Sequence, residues 1–304
     1  MDNQDFIIED NIFVNCPTDY EGKVIVPEGV VMIGDRAFMF CSKVTQVVLP
    51  SSLQSIGMVS FHGCGISNIE IPSGVVDIAD CAFLCCEKLE SLNLHEGMLV
   101  IPEGLCCGCL SLKNVRIPDS VLIIKETAFA GCETLQNIAL PSGLRRIDPM
   151  AFEDCHSLES IVIPDGCRHV CFGAFRNCTS LKTIILPDTV TSEESGAATF
   201  SGCTNLVSAK LSNSMISVPG WCFEDCINLK EVTMSEKTEW IESDAFKNCK
   251  SLESITLPPH TVEVEEDAFI GCESLRYIKA PVGTVFNNHA FRGCPTSITI
   301  ERYL

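Results

Sequence analysis

The chain has 304 residues, of which 46% are hydrophobic and 20% charged, a balance that excludes a disordered polymer and permits a large core. Forty acidic against 21 basic residues give a net charge of -19, which repels nucleic acid and anionic lipid, and no basic stripe offsets that field. The length suits two ordinary domains or one elongated fold.

In chain order, the opening Met1-Asp2-Asn3-Gln4-Asp5 is acidic and lacks the positive start and apolar run of a secretory signal. No later stretch offers the roughly 18 uninterrupted apolar residues of a membrane span. These features predict a cytoplasmic chain without membrane insertion, the alternative being a cell-surface protein of which this is a trimmed piece. The first strand is expected at Lys23-Val26, closed by Pro27.

From there a period dominates. Phenylalanine stands at 38, 61, 83, 129, 152, 175, 200, 223, 246, 269 and 291, with Cys106 in the one slot lacking it, at steps of 22 to 25 residues. Each is followed three positions later by cysteine, from Cys41 to Cys294, so twelve of the twenty cysteines share one slot. Between these landmarks runs a frame seen best at Cys178-Thr-Ser-Leu181-Lys-Thr-Ile184-Ile-Leu186-Pro187. It reads as a short strand, with Ile184 and Leu186 facing in, Thr183 and Ile185 facing out, and proline ending the ladder. One such unit cannot bury its apolar side alone, so the units must stack into a solenoid. Thirteen parallel strands, from Lys23-Val26 to Ser297-Ile300, then form one concave sheet about 60 Å long at about 4.8 Å per coil. Short helical or 3-10 turns and irregular segments are expected on the convex side.

These residues resemble the leucine-rich repeat proteins of the BspA-like type, whose unit reads roughly Cys-x-x-Leu-x-x-Ile-x-Leu-Pro, then Ile-Gly, then Ala-Phe-x-x-Cys. Ile33-Gly34-Asp35-Arg36-Ala37-Phe38-Met39-Phe40-Cys41 carries the second half nearly in full, and the likeness covers about residues 20 to 304. Phe6-Ile7-Ile8-Glu9-Asp10-Asn11 is similar to the start of members whose first strand pair caps the stack. The resemblance implies a binding scaffold, often surface-exposed in bacteria. The expected organisation is one domain over 1-304: an N-terminal cap at 1-22, twelve to thirteen repeats at 23-300, and a C-terminal end at 301-304.

Two departures stand out. Leu92-Asn93-Leu94-His95 lacks its proline and Cys106 replaces phenylalanine, so looser packing is expected there. The longest step, from Phe175 to Phe200, holds two extra residues near Thr191-Ser192-Glu193-Glu194-Ser195-Gly196, read as a bulged acidic loop.

Cysteines in equivalent slots point the same way, so the column neither converges on a metal nor pairs into disulfides; buried free thiols fit better. Cys81, Cys85, Cys106 and Cys107, beside Cys86 and Cys109, form the best metal candidate, yet stacking puts Cys85 beside Gly108 and Cys106 beside Phe83, in different slots. In Cys167-Arg168-His169-Val170-Cys171, Cys167 takes the slot of Leu144 and Val170 that of Ile147, a core reading. The six histidines share no slot, and no nucleophile elbow, phosphate loop or zinc-protease motif occurs, so neither catalytic residue nor cofactor is expected.

The outward strand positions form two columns, Gln46 to Tyr277 and Val48 to Lys279, both mostly uncharged. Their middle, Asn137, Ala139, Ser160, Val162, Thr183 and Ile185, combines apolar and hydrogen-bonding groups, which suits a protein or peptide ligand. Strand propensity alone would also place such residues there. The sequence therefore points to a non-enzymatic, monomeric scaffold binding a protein through its concave sheet. The alternatives are an adhesive or carbohydrate-binding surface protein, for which only Tyr277 offers an aromatic platform on the sheet, and a thiol- or metal-dependent enzyme.

Overall fold

The computed structural model describes residues 6-191 and 196-304, so Ser192-Glu193-Glu194-Ser195 of the expected acidic loop lie outside the described residues. The chain divides into two compact units, Met1–Gly143 and Leu144–Leu304, and each is a stack of coils with parallel strands.

Met1–Gly143 opens with an antiparallel pair, Ile7–Glu9 and Ile12–Asn15. The connecting Asp10 and Asn11 both have positive φ, 48° and 62°, as a two-residue primed hairpin turn requires. The pair caps the first coil: Phe6 and Tyr20 pack near the buried Phe13 ring, and Ile12–Asn15 continues in parallel onto Met32–Ile33, Ser55–Ile56 and Asp77–Ile78. Val100–Ile101 pairs with Ile123–Ile124 in the same manner. A second ladder joins Gly22–Ile25 to Val44–Val48, and Asn68–Ile69 to Ser91–Asn93 and Asn114–Arg116.

Leu144–Leu304 repeats the plan. One ladder holds Arg146–Ile147 with His169–Val170, then Ser217–Val218, Trp240–Ile241, Glu263–Val264 and Val285–Phe286. The other holds Thr183–Ile185, Ser208–Lys210 and Glu231–Thr233, and then Ser254–Thr256, Tyr277–Pro281 and Thr299–Tyr303.

Among the described residues most coils therefore carry two short strands where the sequence suggested one. The second has only two residues in most coils; where it ends in an Ile-Gly pair, Gly57 leaves no room for a Cβ, which would lie 2.8 Å from the Gly34 carbonyl carbon of the preceding coil. The final strand runs to Tyr303, so residues 301-303 belong to the sheet rather than to a loose end, and the strand expected at 297-300 starts at Thr299. Around residues 137-139 and 160-162 the expected strands reduce to single bridges at Asn137 and Ser160. The burial alternation survives there because Ile138 and Ile161 still pack inward, and packing, not the ladder, sets which side chains face out.

The expected helical or 3-10 turns are absent among the described residues. Every repeat instead places two left-handed residues four apart across its Ala-Phe-x-x-Cys segment, such as Arg36 and Phe40, Gly104 and Gly108, or Asp244 and Asn248. A helix cannot pass through such residues. Between them the backbone alternates two kinds of bond. Ala37, Met39 and Cys41 donate to carbonyls three residues back, whereas Arg36, Phe38 and Phe40 donate to Met58, Ser60 and His62 of the next coil. All these N–H groups are satisfied without a helix.

The core follows the period. Within Met1–Gly143, Phe13, Phe38, Phe61 and Phe83 are buried and stack at 4.7, 5.0 and 5.2 Å between centroids. Within Leu144–Leu304, Phe152, Phe175, Phe200, Phe223, Phe246, Phe269 and Phe291 stack at 5.1 to 5.9 Å. Phe129, Cys132, Cys155 and Cys178 are fully buried, as expected.

Candidate functional site

The strand face is built by register. In Leu144–Leu304, Thr183 aligns with Ser208 and Glu231, and Ile185 with Lys210 and Thr233, while Ile184 and Ala209 turn inward. Period-2 geometry thus sets Thr183 and Ile185 in the two outward columns. Ile185 is 63% exposed and Val162 is 81% exposed, so two branched aliphatics on successive coils face water, flanked by exposed Ser160 and Thr183. Asn137 and Ala139 are exposed in the same two columns of Met1–Gly143. All six residues singled out in the sequence therefore lie on the surface.

Beside Ile185 a groove of about 380 Å³ runs between Pro187, Lys210, Asp165 and Asp188. The backbone and side-chain amides of Asn213 donate to Asp188 at 3.1 and 3.0 Å, and these bonds hold its carboxyl below the usual carboxylate range. The groove thus offers an aliphatic wall, a fixed anion and the Lys210 cation. Such a mixture can desolvate an apolar side chain while pairing charges at its rim.

The cysteines have a different role. All twenty are free thiols. In the repeated slot most thiols donate to the carbonyl of the preceding coil's phenylalanine slot, as Cys86 to Phe61 at 2.9 Å, Cys109 to Phe83 at 3.1 Å, Cys226 to Phe200 at 3.1 Å and Cys272 to Phe246 at 3.1 Å, whereas Cys41 donates to Cys16 O at 3.5 Å. Burial pushes Cys64 and Cys203 up to about 12 and Cys167 up to about 11. These groups stay protonated at neutral pH and are poor nucleophiles. Cys81 and Cys85 sit against glycines of the next coil, where a Cβ on Gly104 or Gly108 would lie 2.8 or 3.0 Å from their sulfurs, so each thiol occupies a glycine notch. Cys85 beside Gly108 and Val170 beside Ile147 are the neighbours that stacking predicted. Among the described residues no three His, Cys, Asp or Glu side chains are grouped to hold a metal ion.

One surface escaped the sequence reading. Val76, Leu99 and Leu122 occupy one slot in three successive repeats and are all exposed. The signal was available in Met98-Leu99-Val100-Ile101 and Val121-Leu122-Ile123-Ile124, runs of four apolar residues where a strand with one wet face buries only alternate ones.

The family profile described as the BspA type leucine-rich repeat region, in six copies, matches residues 7-121, 99-198 and 193-298. The chain belongs to this BspA-type leucine-rich repeat family. A leucine-rich repeat protein from Bacteroides ovatus ATCC 8483 is 30% identical, with a TM-score of 0.87 over 96% of this chain and 80% of that one. A leucine-rich cell surface protein from Faecalibacterium prausnitzii A2-165 is 25% identical over 98% of this chain and 92% of that one, TM-score 0.62. A leucine-rich repeat protein from Eubacterium ventriosum ATCC 27560, 24% identical over 91% and 85% with a TM-score of 0.64, shares the fold. No curated protein matches. As a BspA-type repeat protein, the chain devotes its repeated phenylalanine and cysteine side chains to the core. No helix among the described residues is long and apolar enough to cross a membrane.

Proposed function

We propose that this leucine-rich repeat protein is a non-enzymatic scaffold that binds another protein or a peptide through the outward strand columns. The contact centres on Ser160, Val162, Thr183 and Ile185 in Leu144–Leu304, and Asn137 and Ala139 offer the same chemistry in Met1–Gly143. The exposure of Val162 and Ile185, at 81% and 63%, carries this reading: two adjacent aliphatics in water above a polar column gain by burial against a partner. The twenty free thiols support a reducing, cytoplasmic setting.

The test is Val162→Glu. A charge in the centre of a desolvated contact stays unpaired, whereas on an open strand face it leaves stability within about 0.5 kcal/mol. Affinity for a partner isolated by proximity capture and then purified should fall at least about tenfold, which is ~1.4 kcal/mol. Ile227→Glu, an exposed aliphatic in the turn segment, serves as the control. Loss of binding in that control, with Val162→Glu unaffected, would place the contact on the wrong face.

A surface adhesin is the second reading, favoured by the 25% identity to the F. prausnitzii cell surface protein. It places the cysteines in an oxidising medium, so disulfides in protein taken from its native source would support it over the cytoplasmic reading.

A further inference from the structure

We propose that the Val76, Leu99 and Leu122 face of Met1–Gly143 docks a cationic segment with aliphatic side chains, independently of the strand columns. The three residues recur every 23 positions, and Leu122 N donates to Leu99 O at 2.8 Å, so they line up along the stack. Their exposures are 51%, 57% and 39%. Scattered exposed aliphatics are ordinary, but a contiguous row marks an interaction surface. Val76 and Leu99 line a groove of about 380 Å³, to which Met58, Val100 and Pro102 add apolar wall. In Leu144–Leu304 the equivalent slot holds Arg145, Arg168, Ile216, Glu239 and Val262, so exposed aliphatics occur there singly and only Met1–Gly143 sets three in succession.

Charge decides the occupant. Asp80, Glu103 and Glu126 form a parallel row of acids four residues along each coil, and Asp77, Asp80 and Lys125 line the groove itself. Glu103 N donates to Asp80 Oδ1 at 3.0 Å, which fixes that carboxylate, and Lys125 reaches it at 3.9 Å. Asp77, Glu103 and Glu126 make no ion pair among the described residues. An aliphatic row beside an acidic row fits a segment that carries leucine-like side chains on one edge and lysine or arginine on the other. A second copy of this chain would bring acids against acids at a net charge of -19 each, which disfavours self-pairing.

The full chain would be titrated, by fluorescence anisotropy, with three labelled dodecapeptides: alternating leucine and lysine, alternating leucine and glutamate, and alternating serine and lysine. The leucine–lysine probe should bind saturably at one site, and much more tightly than either of the others. Leu99→Glu adds negative charge, so plain electrostatic attraction would strengthen; the inference expects at least about tenfold weaker binding, and the same for Leu122→Glu. Glu103→Gln should weaken it a few-fold. Val162→Glu should leave it unchanged, which separates this surface from the strand columns. Unaltered binding by Leu99→Glu and Leu122→Glu proteins of normal melting temperature would overturn the proposal. So would equal binding of the serine–lysine probe, or self-association in sedimentation that Leu99→Glu abolishes, which would make a second copy the occupant.

Discussion

At the scale of single residues, the thiol in the slot below each phenylalanine does two things at once. It packs as a small apolar group, and it donates to a carbonyl of the preceding coil that already accepts an N–H. Phe61 O, for example, takes both Cys64 N and Cys86 Sγ at 2.9 Å. A weak donor loses little on leaving water, so the bond need not be strong to favour burial. Ser60 shows the opposite balance. It stands where most repeats have alanine, is fully buried, and its hydroxyl has no hydrogen-bond partner among the described residues. Leaving such a group unsatisfied costs about 1–3 kcal/mol, so Ser60→Ala should raise stability by about 1 kcal/mol or more in denaturant unfolding. A fall would mean that the hydroxyl is bonded in solution.

At the scale of elements, the unit of cohesion is the contact between one coil and the next. Phe152 lies against Phe175 at 5.4 Å with the rings nearly parallel, at 4°. Truncating Phe152 to alanine removes a fully buried ring, and the neighbouring coils cannot collapse into the space without breaking their own ladders. The expected cost is about 3–5 kcal/mol, read as a lowered unfolding midpoint; an unmoved midpoint would contradict the stacking. In repeat proteins such a loss is borne by the coil and its neighbours, so proteolysis should begin near the lesion. Ion pairs follow the same coil-to-coil logic, as in Lys43–Glu21, Lys113–Glu90 and Lys182–Glu159 at 2.6, 3.3 and 2.8 Å. These pairs are exposed, so they contribute little to cohesion beside the buried column.

At the scale of the whole molecule, the buried thiols tie stability to alkaline pH. Burial raises Cys64, Cys203 and Cys167 from an ordinary value of 9.0 to about 12, 12 and 11, and pushes Cys178, Cys226 and Cys249 up as well. Above about pH 9 the unfolded chain releases these protons while the folded chain keeps them. The stabilisation is therefore complete below pH 9 and is lost as pH rises through the folded values. Melting temperature should hold level from neutral pH to about 9 and then fall steeply towards 12. Thiol titration at pH 8 should find few reactive groups in the native protein, Cys81, Cys85, Cys107 and Cys294 being the partly exposed ones, and nearly all twenty after denaturation. A native protein in which most thiols react at once would refute the buried column.

The sequence by itself determined the period, the stacking, the buried phenylalanine and cysteine columns and the outward direction of Val162 and Ile185, because each is a one-dimensional rule repeated at every turn. It also determined the family, since the spacing of Ala-Phe-x-x-Cys and Leu-x-x-Ile-x-Leu-Pro is local. The left-handed positions were half legible: the second of each pair is often Gly, Asn or Asp, as at Gly63, Asp154, Asn177 and Gly271, but Phe40 and Cys85 adopt the same conformation only because the next coil holds them there. Only the tertiary structure decided that most described coils carry two ladders, that turns replace helices, and that Val76, Leu99 and Leu122 form a row beside Asp80, Glu103 and Glu126. Those facts depend on which atoms of one coil meet the next, and a pattern of residue types along a single coil does not contain that information.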